Sequence, residues 1–307
     1  MNATVKQLGK LAIAVALVGF LIASDRLSLA PVRAILGEPV AWIAIVVLQL
    51  AILVLGAVRW WWIVHRMDAA APRARELVRA TWIGLFFGCV APSVIATDVV
   101  RFRALREAGV SRETTVASLV LDRACGVLAL CVLALVLAAP SVIELASPVR
   151  VAVIASVVAV VACAGFVLRR RRPVAAIAQA LRTAVASPST SIVAFGLGLV
   201  AHALKVVVMV IVVRAVGPAT ASVGDVIALS PPGLLVEALP LAPGGLGTAH
   251  LAFEHLYGSR AIAGGAALFN VYFVSRLAVN LLGGLAWLRT PAPQVSCNDG
   301  TRAASCR

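Results

Sequence analysis

The chain has 307 residues, of which 62% are hydrophobic and only 13% are charged. Its repeated apolar runs are about 17 to 25 residues long, the length that a helix needs to cross a bilayer. Because these runs take up most of the chain, the composition excludes a soluble enzyme and leaves no room for a soluble domain. The net charge of +14 comes from basic residues that flank these runs. Because lysine and arginine there set topology and attract anionic lipids, we expect membrane lipids as partners and no nucleic acid.

The first two spans are predicted at 11–23 and 40–64. Small residues at Ser28 and Ala30 would also fit the end of a cleaved signal peptide, but the spans that follow favour a first transmembrane helix. The second span closes with Arg59-Trp60-Trp61-Trp62. We interpret this stretch as an interfacial belt, because indole rings favour the headgroup level and arginine extends towards it.

The apolar run at 81–100 is short, contains Pro92 in its middle and has arginines on both sides. This pattern predicts a segment that enters and leaves the membrane at the same face. The basic stretch from Arg101 to Glu113 then predicts an amphipathic helix on the membrane surface.

The remaining spans are predicted at 115–139, 151–168, 191–213 and 263–287. In the first of these, Thr115, Ser118 and Asp122 recur at helical spacing and share one face. Most lysines and arginines fall on the side that holds both termini, which favours a cytoplasmic location for both ends of the chain in the plasma (inner) membrane.

The stretch 231–255 is apolar but rich in residues that interrupt helices. These residues are Pro231, Pro232, Pro240, Pro243, Gly244, Gly245 and Gly247. Because an unpaired backbone group in hydrocarbon costs several kcal/mol, such a segment must be sheltered inside protein or line a polar cavity. We therefore predict a second re-entrant segment here that meets the one around Pro92 near the midplane, as in inverted-repeat transporters.

The predicted fold is an all-α polytopic membrane helix bundle with about six full spans and two re-entrant broken-helix segments. Residues 1–288 form one integral membrane domain, and residues 289–307 form a polar, disordered cytoplasmic tail.

Two cations, Lys205 and Arg276, lie inside predicted spans, where they require partners or a hydrated cavity. The candidate acidic partners are Asp98, Asp122, Glu237 and Glu254. These groups either neutralise one another and hold the helices together, or they leave a positive cavity suited to a phosphate headgroup.

Catalytic patterns are scarce in this sequence. His250 and His255 flank Glu254, but their spacing of five residues does not place both histidines on one helix face as zinc proteases require. We therefore expect no metal, no cofactor and no catalytic residue, and we do not expect an enzyme.

Two stretches together resemble a known family: APSVIATDVVRFRALREAGVSRETTVASLVLDR at 91–123 and LPLAPGGLGTAHLAFEHLYG at 239–258. They are similar to the flippase-like transmembrane region of lysylphosphatidylglycerol synthases, a family that includes stand-alone YbhN-like membrane proteins. The resemblance extends over about residues 40–287. This chain has Ala96-Thr97 and Ala249-His250 where the family usually has Gly-Gly and Arg-Glu.

The resemblance implies transport of an anionic or isoprenoid-type lipid between leaflets, without a synthase domain. The residues on its motif positions are Pro92, Asp98, Arg101, Arg123, Pro240, Gly244, Gly245, Gly247 and Arg276. Lys205, Glu237 and Glu254 complete the expected translocation site, where Glu254 would replace the missing family glutamate. Two alternatives are an intramembrane enzyme that acts on a lipid phosphate and a membrane partner that recruits a separate lipid-modifying enzyme.

Overall fold

A computed structural model describes residues 29–68, 71–89, 93–142, 179, 187–238 and 247–289. Within these ranges every regular element is an α-helix. The helices are α1 (Leu29–Leu36), α2 (Pro39–Met67), α3 (Ala74–Phe87), α4 (Ser93–Glu107), α5 (Arg112–Val142), α6 (Pro188–Val216), α7 (Val223–Ala238), α8 (Thr248–Gly258), α9 (Gly265–Leu281) and α10 (Gly283–Leu288).

Four helical stretches are long and apolar enough to cross a membrane. They are Pro39–Met67, Arg112–Leu137, Pro188–Val216 and Gly265–Leu288. They correspond to the predicted second, third, fifth and sixth spans, so the multi-pass helical architecture is confirmed. The predicted first and fourth spans, at 11–23 and 151–168, lie outside the described residues, as does the tail beyond Arg289.

Helices α3 and α4 form a hairpin whose two arms pack closely along each other. A Cβ atom at Gly84 would lie 3.0 Å from both the Cα and the carbonyl oxygen of Thr97, so the contact depends on the absence of a side chain at Gly84. Residues 88–92 separate the two helices, and of these 90–92, which include Pro92, lie outside the described residues.

The predicted surface helix from Arg101 to Glu113 is wrong in its extent. Helix α4 ends at Glu107, and Gly109 adopts a φ of 87° before α5 begins at Arg112. The side chain of Ser111 accepts a hydrogen bond from the Thr114 amide at 3.1 Å, which caps the first turn of α5. Arg101 is only 5% exposed, so the inner face of α4 is buried in the bundle.

The expectation that Pro231 and Pro232 interrupt the helix is also wrong, because both lie inside α7. Each proline removes a backbone donor and strains the preceding turn, at a cost of about 3 kcal/mol. Residues 228–235 are buried without exception, and the ring of Phe253 in α8 packs directly over Gly233. Tertiary packing therefore maintains α7 through the two prolines, and the break in the chain comes after Ala238.

Candidate functional site

A buried carboxylate, Asp122, joins two arginines from different helices. Its Oδ1 atom accepts a hydrogen bond from Arg59 Nε at 2.7 Å, and its Oδ2 atom accepts one from Arg101 Nη1 at 3.0 Å. Arg101 also donates to Thr81 Oγ1 at 3.1 Å. The side chain of Asp122 is 2% exposed, so these contacts supply the pairing that a charge needs away from water. The pairing ties α2, α4 and α5 together.

The guanidinium of Arg59 fits between α5 and α6 because both helices have glycine beside it. A Cβ atom would lie 3.0 Å from Arg59 Nη1 at Gly126 and 3.1 Å from it at Gly198. The Nε2 atom of His202 lies 3.0 Å from the carbonyl oxygen of Gly126, which adds a polar contact between the same two helices. The arginine of α2 therefore fits into space that the two glycines of α5 and α6 leave open.

The interfacial-belt interpretation is wrong for Arg59 and Trp60. Trp60 is completely buried, its Nε1 donates to Ser118 Oγ at 3.4 Å, and the Arg101 guanidinium lies 4.8 Å from the centre of its ring. The polar face predicted around Asp122 explains this burial, because it offers both a hydroxyl and a carboxylate to α2. One face of the last turns of α2, with Trp60, Ile63 and Val64, is therefore buried in the bundle.

A second ion pair lies at the more exposed edge of the same region. Arg123 donates to Asp98 through Nη2 at 2.8 Å and through Nε at 3.3 Å, in the forked geometry that arginine forms with carboxylates. The side chain of Arg123 is 43% exposed, and that of Asp98 is 26% exposed. This pair joins α4 to α5 one residue beyond Asp122.

A third ion pair joins Arg276 of α9 to Glu237 in the last turn of α7. The Arg276 guanidinium also lies 5.7 Å from the ring centre of Tyr272 and 5.3 Å from that of Phe273. Glu237 is buried and lies two residues before the undescribed stretch 239–246. The ion pair therefore holds the last turn of α7 against α9.

Lys205 is partly buried near the middle of α6, about 25 Å from the start of the helix at 1.5 Å per residue. Its electrostatic neighbours are Arg59, Arg123 and Arg276, all of which carry the same sign of charge. No described carboxylate pairs with it. A lysine at the centre of a membrane helix costs about 2.5–3.5 kcal/mol on insertion scales, and water or an anionic group beside it would lower that cost.

The structure places five of the residues expected at the site in ion pairs. Asp98 meets Arg123, Glu237 meets Arg276, and Arg101 meets Asp122. The sixth, Lys205, forms no ion pair with a described carboxylate. Three more members of the expected set, Pro240, Gly244 and Gly245, lie outside the described residues, as does Pro92. Gly247 precedes α8 with a φ of 83°, a conformation that favours glycine.

Glu254 does not join these residues. It is exposed on α8, and its Oε2 atom accepts a hydrogen bond from the Ala266 amide at 2.8 Å in the first turn of α9. A carboxylate interacts favourably with the partial positive charge at a helix N-terminus, so Glu254 stabilises the start of α9.

Sequence reasoning missed two members of the interior. Arg59 was assigned to the membrane interface, and Gln49 was not singled out, although it donates to Ser275 Oγ at 3.2 Å and to the Tyr272 carbonyl at 3.4 Å. A lone glutamine in a long apolar run was the available signal, because an amide in hydrocarbon requires a partner. Its contacts show that Tyr272 and Ser275 of α9 face the interior of the bundle.

His250 lies apart from the ion pairs, against the aromatic face of α9. Its ring meets that of Phe269 edge-on at 4.9 Å. Burial lowers the pKa of His250, and the nearby Asn270 side chain opposes this shift in part. In the part of the chain that the structure describes, no three His, Cys, Asp or Glu side chains are grouped to hold a metal ion.

The described helices and their internal ion pairs define a multi-pass membrane protein with a charged interior. The chain belongs to the family described as the lysylphosphatidylglycerol synthase TM region, which matches residues 7–283. Comparison with curated proteins and with solved structures gives no match. The family makes this a membrane protein related to lipids.

Proposed function

We propose that this protein moves a lipid with an anionic headgroup between the leaflets of the plasma (inner) membrane, with both termini in the cytoplasm. The observation that carries the proposal is the set of buried arginines that pair across helices, in which Arg59 and Arg101 share Asp122 and Arg276 meets Glu237. Lys205 on α6 adds a cation that forms no ion pair with a described carboxylate. A fixed positive site at the depth of the membrane lowers the cost of bringing a negative headgroup into it.

Two broken-helix segments support a transport role. The break between α3 and α4 adjoins Asp98 and Arg101, and the break between α7 and α8 follows Glu237. Transporters place interruptions of their helices beside their substrate sites. We propose that the two segments enter the membrane from opposite faces and enclose the headgroup between them.

The test is movement of lipid in proteoliposomes that contain the full chain, scored for both leaflet position and chemical change. We expect an unmodified fluorescent anionic lipid to change leaflets faster than in empty vesicles, and Arg276→Gln to reduce this rate. Arg214→Gln is the matched control, because Arg214 is exposed at the end of α6.

A chemically altered lipid would contradict transport and favour an intramembrane enzyme. If the lipid neither moves nor changes, translocation is refuted, and recruitment of a separate lipid-modifying enzyme becomes the better explanation.

A further inference from the structure

The chain contains two tyrosines, Tyr257 and Tyr272, and both side chains are completely buried. The hydroxyl of Tyr257 lies 2.9 Å from Ser230 Oγ, which itself donates to the Val226 carbonyl at 2.6 Å. Because the single hydrogen of the serine hydroxyl is used there, Tyr257 is the donor and Ser230 is the acceptor. Tyr257 therefore has the partner that a buried hydroxyl needs.

Tyr272 has no such partner among the described residues. Its hydroxyl oxygen is buried and forms no hydrogen bond with them. The backbone carbonyl of the same residue, in contrast, accepts hydrogen bonds from Gln49 at 3.4 Å and from Ser275 at 2.7 Å. A buried donor without an acceptor is unfavourable, and most buried polar side chains in proteins are paired. The Tyr272 hydroxyl therefore marks a position at which a ligand oxygen can be bound.

This hydroxyl belongs to a residue that contacts Arg276, one helical turn further along α9. The Arg276 guanidinium lies 5.7 Å from the centre of the Tyr272 ring and pairs with Glu237. Its side chain is 24% exposed, so a headgroup can approach Arg276 from outside the core. A guanidinium has five N–H donors, which is more than one carboxylate accepts. Arg276 and Tyr272 thus offer neighbouring donors, one at an accessible edge and one in the interior.

We propose that the Tyr272 hydroxyl donates a hydrogen bond to a phosphate oxygen of the lipid headgroup while Arg276 holds the same phosphate by its charge. A phosphate has several acceptor oxygens, so one can accept from Tyr272 and another from Arg276. Because the hydroxyl is covered in this structure, the headgroup must separate the Arg276 guanidinium from the Tyr272 ring to reach it. This inference rests on the proposed function, since it names a further residue that binds the headgroup.

Two matched substitutions, Tyr272→Phe and Tyr257→Phe, test the assignment, because each removes one buried hydroxyl and keeps the ring. Lipid affinity is measured by titrating phosphatidylglycerol into the purified full chain in an uncharged sugar detergent, which contains no phosphate. Tyr272→Phe should weaken binding by about tenfold, the effect of one hydrogen bond to a charged acceptor, and should leave the unfolding midpoint of the lipid-free protein unchanged or raised. Tyr257→Phe should lower the midpoint and leave the affinity unchanged, because it breaks the bond to Ser230.

Equal affinities for the wild type and Tyr272→Phe would overturn the inference and would assign the hydroxyl to a buried water molecule instead. A similar loss of affinity in both variants would also overturn it, since packing rather than the Tyr272 hydroxyl would then control binding.

A second measurement does not require Tyr272→Phe to fold. The two tyrosines of the wild type give two NMR signals when their Cζ atoms are labelled with ¹³C, and Tyr257→Phe shows which signal belongs to which residue. Phosphatidylglycerol should shift the Tyr272 signal and leave the Tyr257 signal in place. If neither signal moves at saturating lipid, the inference is wrong.

Inorganic phosphate, used as a second probe, separates the sources of the anion. A Tyr272 shift with both probes supports recognition of the phosphate group, and a shift with the lipid alone supports recognition of the whole lipid. A shift with inorganic phosphate alone would refute headgroup binding. A lipid-induced shift without leaflet movement would support the site and refute translocation, whereas leaflet movement without a shift would refute the role of Tyr272 alone.

Discussion

Asp122→Asn should destabilise the protein strongly, because one carboxylate compensates two buried guanidinium groups. The side chains of Arg59 and Arg101 are 12% and 6% exposed, so neither can recover its interaction from water without a rearrangement. Removing one member of a buried ion pair costs about 3–5 kcal/mol. At about 2–4 °C per kcal/mol, the midpoint of thermal unfolding should fall by roughly 6–20 °C.

The assay is thermal unfolding of the purified protein in detergent, with Asp225→Asn as the matched control. Asp225 lies 3.9 Å from Arg260, and both side chains are about one third exposed, so this control should change stability by less than about 1 kcal/mol. Adding Arg101→Met to Asp122→Asn should cost less than Arg101→Met alone, because the partner is already lost. Equal midpoints for Asp122→Asn and the control would refute the assignment of Asp122 as the shared counterion.

Two further substitutions test the geometry of the buried ion pairs. Gly126→Ala places a Cβ atom 3.0 Å from Arg59 Nη1 and should lower stability by about 1–3 kcal/mol, whereas Gly56→Ala, which meets no atom within 4 Å, should be neutral or stabilising in the same unfolding assay. Glu237→Gln should leave Arg276 without its carboxylate and reduce both the unfolding midpoint and the rate of lipid movement; an unchanged rate would show that this ion pair serves stability alone.

Hydropathy alone located the described spans, since apolar runs of this length seldom occur outside membrane helices. The helical spacing of Thr115, Ser118 and Asp122 predicted that they share one face, and in the structure that face is buried. The partners of these residues were not predictable. Asp122 pairs with an arginine 63 residues away in the sequence, and no local pattern encodes that distance.

Arg59 and Trp60 show how an established pattern can mislead. Arginine followed by tryptophans at the end of an apolar run is equally compatible with a headgroup belt and with a polar helix face inside a bundle. The decision depends on whether a neighbouring helix offers a hydroxyl and a carboxylate at that level, and α5 does.

The choice between Glu237 and Glu254 could not be made from the sequence for a similar reason. Both lie near the glycine-rich stretch and either could pair with Arg276. In the fold, Glu237 ends the buried α7 and meets Arg276, whereas Glu254 faces outward on α8 and accepts the Ala266 amide.

Lipid translocation past the buried cations is tested most directly by the rate at which a fluorescent anionic lipid changes leaflets in proteoliposomes of the wild type, Lys205→Met and Arg214→Met. The predicted result is rapid movement for the wild type and Arg214→Met, with a rate for Lys205→Met close to that of empty vesicles. Equal rates for the wild type and Lys205→Met, with both proteins folded, would contradict a role for Lys205 in carrying the headgroup.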